Sequence, residues 1–477
     1  MNNYSFLIVT SATLLLGGCT LAPKYTQPEA PIPIGFPEGS AYGNPSSSQD
    51  APFAMDLNWR DFFTDPKLQQ VIESALENNR DLQLAALNVD RARAIYGIQR
   101  AALYPSIGVT GGGSKQRSSS DLIAPGEPRT TKQFNANLGM VAWEIDFFGR
   151  IRSLKERALQ EYLATEEARR GAQIMMISEV ARAYLTLAAD RENLRLAQST
   201  FEMQQNSHDL IQQQYDFGVA TELDLRRSQT QVDTATRGIV RYTQRVAQDQ
   251  NALNLLAGAP VPEELLPADL ASVIPLTNIS QGLSSEVLLQ RPDIIAAEDR
   301  LKGAYATIGA ARAAFFPRIS LTTMIGTASD ELSGLFESGS GTWSFAPQIS
   351  MPIFDARTWA AHRVSKVSQE MAVVQYEKSI QTAFREIADS LAVRGTVDQE
   401  VAAQQSIVDS SQIIYDLSNK LYNQGISSYL GVLDSHRTLF ASQQILTSLR
   451  LARRANQVHL YAVLGGGGDL DTSKPSE

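Results

Sequence analysis

Apolar residues return every seven positions through two long stretches of this chain. Leu225, Val232, Ile239, Val246 and Leu253 carry the seam in the first stretch; Val432, Leu439, Leu446 and Leu460 carry it in the second, interrupted only by Arg453. Val180, Leu187, Leu194 and Phe201 show the same spacing on a preceding arm. A strict heptad keeps apolar residues against a neighbouring helix only if the helices supercoil, so the pattern predicts long coiled-coil helices. The arms Arg150–Phe217 and Arg357–Gln424 contain no proline and one glycine each, Gly171 and Gly395. Each arm of about 67 residues spans roughly 100 Å as a helix. The two stretches are one element used twice. Arg150 and Arg357, Gly218 and Gly425, and Gly258 and Gly465 are all separated by 207 residues (357 − 150 = 207). One offset over more than a hundred positions indicates duplication.

Ahead of each arm the period changes from helical to two. Phe134, Ala136, Leu138, Met140 and Ala142 alternate with their neighbours through Trp143, and Ile107–Gly113 is similar. The second copy has Ile319–Gly326 and Trp343–Pro352. These segments predict one hairpin per copy. A single helical region is expected from about Pro66 to Leu103, capped by Asp65, with a counterpart over Leu283–Phe316. The first hairpin loop is five residues longer, because Pro105 and Pro317 are 212 apart against 207 for the arms (212 − 207 = 5). The expected division is therefore a signal peptide at 1–18 and a Pro-rich tether at 19–64. Repeat 1 covers 65–258, with its hairpin at about 105–147 and tip turn at 217–222. A connector at 259–284 leads to repeat 2 at 285–465, with its hairpin at about 317–354 and tip turn at 424–429, and a mobile tail at 466–477.

Four strands are too few to close a barrel, and an open edge in lipid leaves backbone groups unpaired. A membrane barrel would need strands from several chains, eight from two, twelve from three or sixteen from four; the pattern also fits a soluble sheet buried on one face. Composition narrows the function. A net charge of −9 argues against nucleic acid. His208, His362, His436 and His459 lack metal-ligand spacing, and no phosphate loop or nucleophile elbow is present, so neither an enzyme nor a cofactor or metal site is expected. Residues 5–16 form an apolar run too short for a stable span and suited to a signal peptide. It ends in Leu16-Gly17-Gly18-Cys19, which resembles a bacterial lipobox. Cys19 is the only cysteine in a chain that carries a signal-like segment, so covalent lipid at Cys19 is expected rather than an intrachain disulfide.

The lipobox, the Pro-rich leader, LYP and FFP before the hairpins, WEIDFFGR, LLQRPDI, IGAARAAFFPRISL, LDSHRTLF and the terminal LGGG together resemble the TolC superfamily, in its lipidated, OprM-like multidrug-efflux branch. The resemblance covers essentially the whole mature chain. It implies an α+β membrane protein: a trimeric twelve-stranded outer-membrane β-barrel, four strands per chain, continued by a periplasmic α-helical barrel. It further implies a homotrimer acting as passive, gated exit duct for a periplasmic adaptor and an inner-membrane drug/proton antiporter of the resistance-nodulation-division type. A protein-secretion duct of the same fold and a lipid-tethered periplasmic scaffold are the alternatives. Adaptor contact is expected at the turns, through Gly218, Val219, Gly425 and Ile426. The matching constriction residues are Asp224, Tyr422 and Asp434, with Leu430 as an apolar ring and Arg437 as a partner for Asp434. Ser427 and Gly431 depart from the pattern, where an arginine and a further aspartate are expected.

Overall fold

A computed structural model describes residues 20–42, 52–279 and 285–468. Cys19, the signal segment and most of the tail lie outside the described residues. The elements run α1 (Pro66–Asn78), α2 (Arg80–Ala101), β1 (Ile107–Arg117), β2 (Thr130–Ile145), α3 (Arg150–Asp216) and α4 (Glu222–Ala257). They continue α5 (Pro292–Ala313), β3 (Arg318–Ser329), β4 (Gly341–Ser350), α6 (Ala356–Asn423) and α7 (Tyr429–Val463). The arms α3 and α6 are unbroken over 67 and 68 residues. No helix among the described residues is long and apolar enough to cross a membrane.

The compact units do not follow the repeats. Unit 1 gathers residues 1–29, 88–165 and 296–377; unit 2 gathers 30–87, 166–295 and 378–477. Each takes the equivalent segments of both copies.

Unit 1 holds one antiparallel sheet in the order β1-β2-β3-β4, so β1 and β4 are its free edges. Leu138 faces Val109 and Ile325, and Ile325 faces Trp343, so large apolar side chains line up across the rungs of one face. The alternate face carries Thr110, Asn137, Ser320 and Gln348, as the two-residue pleat requires. A bulge between Met140 and Trp143 puts Ala142 at φ 52°, with its N–H bonded to Thr322 Oγ1 at 3.0 Å. WEIDFFGR is the strand-to-helix joint. Asp146 caps α3 by accepting from the N–H groups of Ile151 and Arg152. Glu144 pairs twice with Arg150, at 2.8 and 2.7 Å, and also meets Arg318 at 3.3 Å. The leader is packed here rather than free. Arg312 donates to the Leu21 carbonyl, Tyr25 donates to Glu298 at 2.9 Å, and Gly309 leaves only enough room for Ala22.

Unit 2 buries the heptads. Val180, Leu187, Val232, Leu253, Val432, Leu439, Leu446 and Leu460 are all enclosed, while Leu225, Ile239 and Val246 are half-buried. Three expectations need correction. The extended tether does not reach residue 64: Trp59, Phe62 and Phe63 are core, and Phe62 stacks on Tyr461 at 3.9 Å. Those aromatics sit just past the Pro/Ser-rich run, in a segment too short to show a period. Nor is 66–103 one helix. Asn79 leaves the helical region, caps α2 by accepting from Asp81 and Leu82, and donates to the Leu256 carbonyl. In the second copy the segment before Pro292 is a 3-10 turn, Ser285–Gln290, rather than α-helix.

Candidate functional site

The two helix-to-helix turns of unit 2 are built alike, bond for bond. In the first, the Gln214 carbonyl accepts from Val219 (2.8 Å) and Ala220 (3.1 Å), and the Tyr215 carbonyl accepts from Gly218 (2.9 Å). In the second, Leu421 accepts from Ile426 (3.0 Å) and Ser427 (3.4 Å), and Tyr422 accepts from Gly425 (2.9 Å). This satisfies the carbonyls that end the long arms, and it needs a residue at positive φ. Gly218 and Gly425 both sit at 72°, with nothing near the space a Cβ would take. The apolar residues that follow point outward: Val219 is 76% and Ile426 70% exposed, with Phe217 beside them at 84%.

Behind the turns, Ile211, Tyr429, Val432 and Leu433 form a buried cluster against which Ala220, Leu225, Tyr415 and Tyr422 pack. Tyr422 joins the two copies. Its hydroxyl donates to Gln214 Oε1 at 3.0 Å, and its ring lies 5.3 Å from that of Tyr429. Burial, reinforced by the Asp224 carboxylate, raises the Tyr422 hydroxyl above its ordinary pKa; burial pushes Tyr429 up to about 12. Both hydroxyls therefore stay protonated, and that of Tyr422 remains a donor to Gln214.

Asp224, expected at a constriction, is occupied locally. It closes a capping box with Thr221: its N–H bonds to Thr221 Oγ1 at 3.2 Å, and its carboxylate accepts from the Thr221 N–H at 3.4 Å and from the hydroxyl at 2.6 Å. The equivalent position in the second copy is Gly431, and Ser428, capping α7, makes no side-chain bond (224 + 207 = 431). One turn-end helix is thus clamped and its counterpart is not. Asp434 pairs with Arg437 at 2.7 Å on the exposed side of α7, and Leu430 is half exposed on the same helix.

A buried joint escaped the sequence reading. His436 is enclosed, its Nδ1 2.9 Å from Gln204 Nε2 and its ring edge-on to Tyr415. Burial holds His436 below the usual histidine range, so it is neutral and Nδ1 accepts the amide proton. Its spacing on the heptad helix was the only available signal, and that signal also fits a solvated histidine.

The outer membrane efflux protein family model matches residues 71–259 and 283–466. The chain belongs to that family. It is an outer-membrane efflux protein, and the family is not one of enzymes. It is 46% identical over 471 residues to the toluene efflux pump outer membrane protein TtgF of Pseudomonas putida, covering 97% of both chains. It is 38% identical to the "Probable outer membrane lipoprotein SilC" of Salmonella typhimurium, covering 97% of this chain and 98% of the other. Among solved structures, the open state of the MtrE outer membrane channel of Neisseria gonorrhoeae superposes with a TM-score of 0.85. It is 36% identical, covering 96% of this chain and all of that one.

Proposed function

We propose that three copies of this outer-membrane efflux protein form one duct, a twelve-stranded barrel above a helical tunnel, which passes small toxic molecules outward from an energised inner-membrane pump and its periplasmic adaptor. The observation that carries this reading is the sheet of unit 1. One face is exposed and apolar, with Trp343 80% exposed, Phe345 and Ile349 open along the same strand β4, and Ile107 and Val109 open along β1 at the other edge; the other face is polar, and both edges are free. In water such a sheet would aggregate. In lipid it must close on itself, and with four strands it can close only with other copies.

The duplication supplies a register for that closure. Ile107 and Ile319 are equivalent (319 − 107 = 212), and their partners Met140 and Ile349 are 209 apart (349 − 140 = 209). Within the chain β2 pairs with β3, setting Met140 opposite Thr323. Applying the same offsets pairs β4 with β1 of the next copy, with Ile349 opposite Gly111, Phe345 opposite Lys115 and Ala346 opposite Ser114. The edges suit this. Ser118 bonds inward to Arg129, and Ser340 accepts inward from Ala328, so alternation turns the N–H and C=O groups of odd-numbered residues outward on both strands. Pro347, which has no N–H to offer, stands on that free edge, where a strand tolerates proline.

The turns at Gly218 and Gly425 form the periplasmic end, where Val219 and Ile426 meet the adaptor, and Leu430, Asp434 and the Tyr422 network narrow the opening. Full-length protein added to planar bilayers tests the duct reading. Stepwise ionic conductance is expected; a lipid-tethered scaffold would give none.

A further inference from the structure

The apolar face of the sheet ends in charge. Counting outward along β1 and β2, the rungs on that face are Ile107–Met140, Val109–Leu138, Gly111–Ala136 and Gly113–Phe134, followed by Lys115–Lys132 and Arg117–Thr130. Two lysines therefore stand directly opposite one another. They occupy a non-hydrogen-bonded pair, where the strands approach most closely, because the inward bond of Ser118 to Arg129 fixes the alternation. Like charges in that position repel and weaken the hairpin. Arg117, two residues further on β1, adds a third cation to the same face. All three side chains are exposed, and none has an ion-pair partner among the described residues.

Three features give the cluster a ligand. It lies immediately past an aromatic rung, Phe134, whose ring covers Gly113. It lies roughly 27 Å along the strand from Ile107, a rise of about 20 Å for a strand tilted by about 40°, which brings it within reach of a long side chain from the far side of an apolar band about 25 Å tall. And it is on the lipid-facing side, where lysine and arginine extend their apolar stems along the acyl region and keep their charge at the head groups. We infer that Lys115, Lys132 and Arg117 form a binding site for the phosphate of a membrane lipid in the outer leaflet. The inference rests on the barrel reading. A phosphate with two or more charges between the lysines turns their repulsion into shared attraction, and the arginine fork adds paired hydrogen bonds. The neighbouring acids, Asp330 and Glu331, follow β3 after Ser329 and make no ion pair with the three cations.

The test uses full-length protein in nanodiscs of phosphatidylcholine doped with diphosphoryl lipid A or with its dephosphorylated form, read by native mass spectrometry. The parent should retain the phosphorylated lipid selectively. Lys115→Gln/Lys132→Gln should lose about thirtyfold in affinity, and Arg117→Gln alone should lose several-fold. Excess inorganic phosphate should not displace the lipid. Equal retention of the dephosphorylated form, unchanged binding in the double variant, or full displacement by inorganic phosphate would overturn the site. Planar-bilayer conductance without lipid A separates the two readings: a parent that forms no channel overturns the barrel, while a conducting parent without lipid preference overturns only the site.

Discussion

Asp224 can act on the duct in two ways, and a short substitution series separates them. As one of a ring of carboxylates its charge would matter; as the third residue of a capping box its acceptor oxygen would matter. The structure favours the second, since the carboxylate is engaged by Thr221 at 2.6 and 3.4 Å. Asp224→Ala removes the reciprocal cap, worth about 1 kcal/mol, and an acidic side chain at a helix start, worth about 0.5 kcal/mol. Asp224→Asn keeps an acceptor and loses only the second. A loss of about 1.5 kcal/mol raises the open population of the first turn of α4 roughly tenfold, and about 0.5 kcal/mol raises it two- to threefold. Amide exchange over residues 222–226 should rise by those factors in the trimer. Single-channel conductance should follow the same order, with Asn near the parent and Ala more open. The equivalent position in the second copy is Gly431, which has no cap to lose, and Asp434→Ala breaks only an exposed pair with Arg437, so it should leave exchange in α7 unchanged. Equal conductance for the Asn and Ala variants, both well above the parent, would refute the capping argument and restore the charge ring.

Replacing Val219 and Ile426 by Glu should abolish efflux-dependent resistance while trimer yield on native gels is unchanged; unaltered resistance would place adaptor contact elsewhere. Burial and the neighbouring Asp190 carboxylate push Asp249 up to about 6. The folded chain thus binds this proton more tightly than the unfolded chain, and the stability it contributes is complete below about pH 4 and lost as pH rises through 6. Asp249→Asn should therefore raise the melting temperature at pH 7.5 and have little effect at pH 4; the opposite trend would mean the carboxylate is stabilised by Arg245. Intact mass of membrane-extracted protein should show residues 1–18 removed and acyl chains on Cys19, whereas a free thiol there would contradict the lipobox.

The long helices were legible because heptads and the 207-residue offset repeat one signal over a hundred positions, which no short irregularity can hide. The hairpins were legible in place but short at their ends. Lys115, Arg117, Thr130 and Lys132 put polar side chains on the face that is apolar further down the strands, which breaks the alternation, so they read as loop. Asn79 was missed because a cap inside a continuous helical pattern leaves the period intact. At the turns, glycine spacing gave the geometry, since only positive φ closes such a bend. The cap made by Asp224 was not legible: an aspartate three residues after threonine fits a cap as readily as a pore ring, and the distances to Thr221 establish the cap while the substitution series tests the ring. His436 needed the partner helix, because Gln204 lies 232 residues earlier.

A barrel of this sheet requires that β4 of one copy close against β1 of the next. Ser114 and Ala346 fall at a non-hydrogen-bonded pair of that junction, where Cα atoms lie about 4.5 Å apart and a disulfide fits without strain. Full-length protein carrying Ser114→Cys and Ala346→Cys, oxidised in its membranes and run without reductant, should migrate as a closed covalent trimer. The pair Gln116→Cys and Ala346→Cys, offset by one rung, should remain mostly monomeric. Cross-linking by the offset pair alone would shift the register. Monomer in both would contradict a barrel built from neighbouring copies.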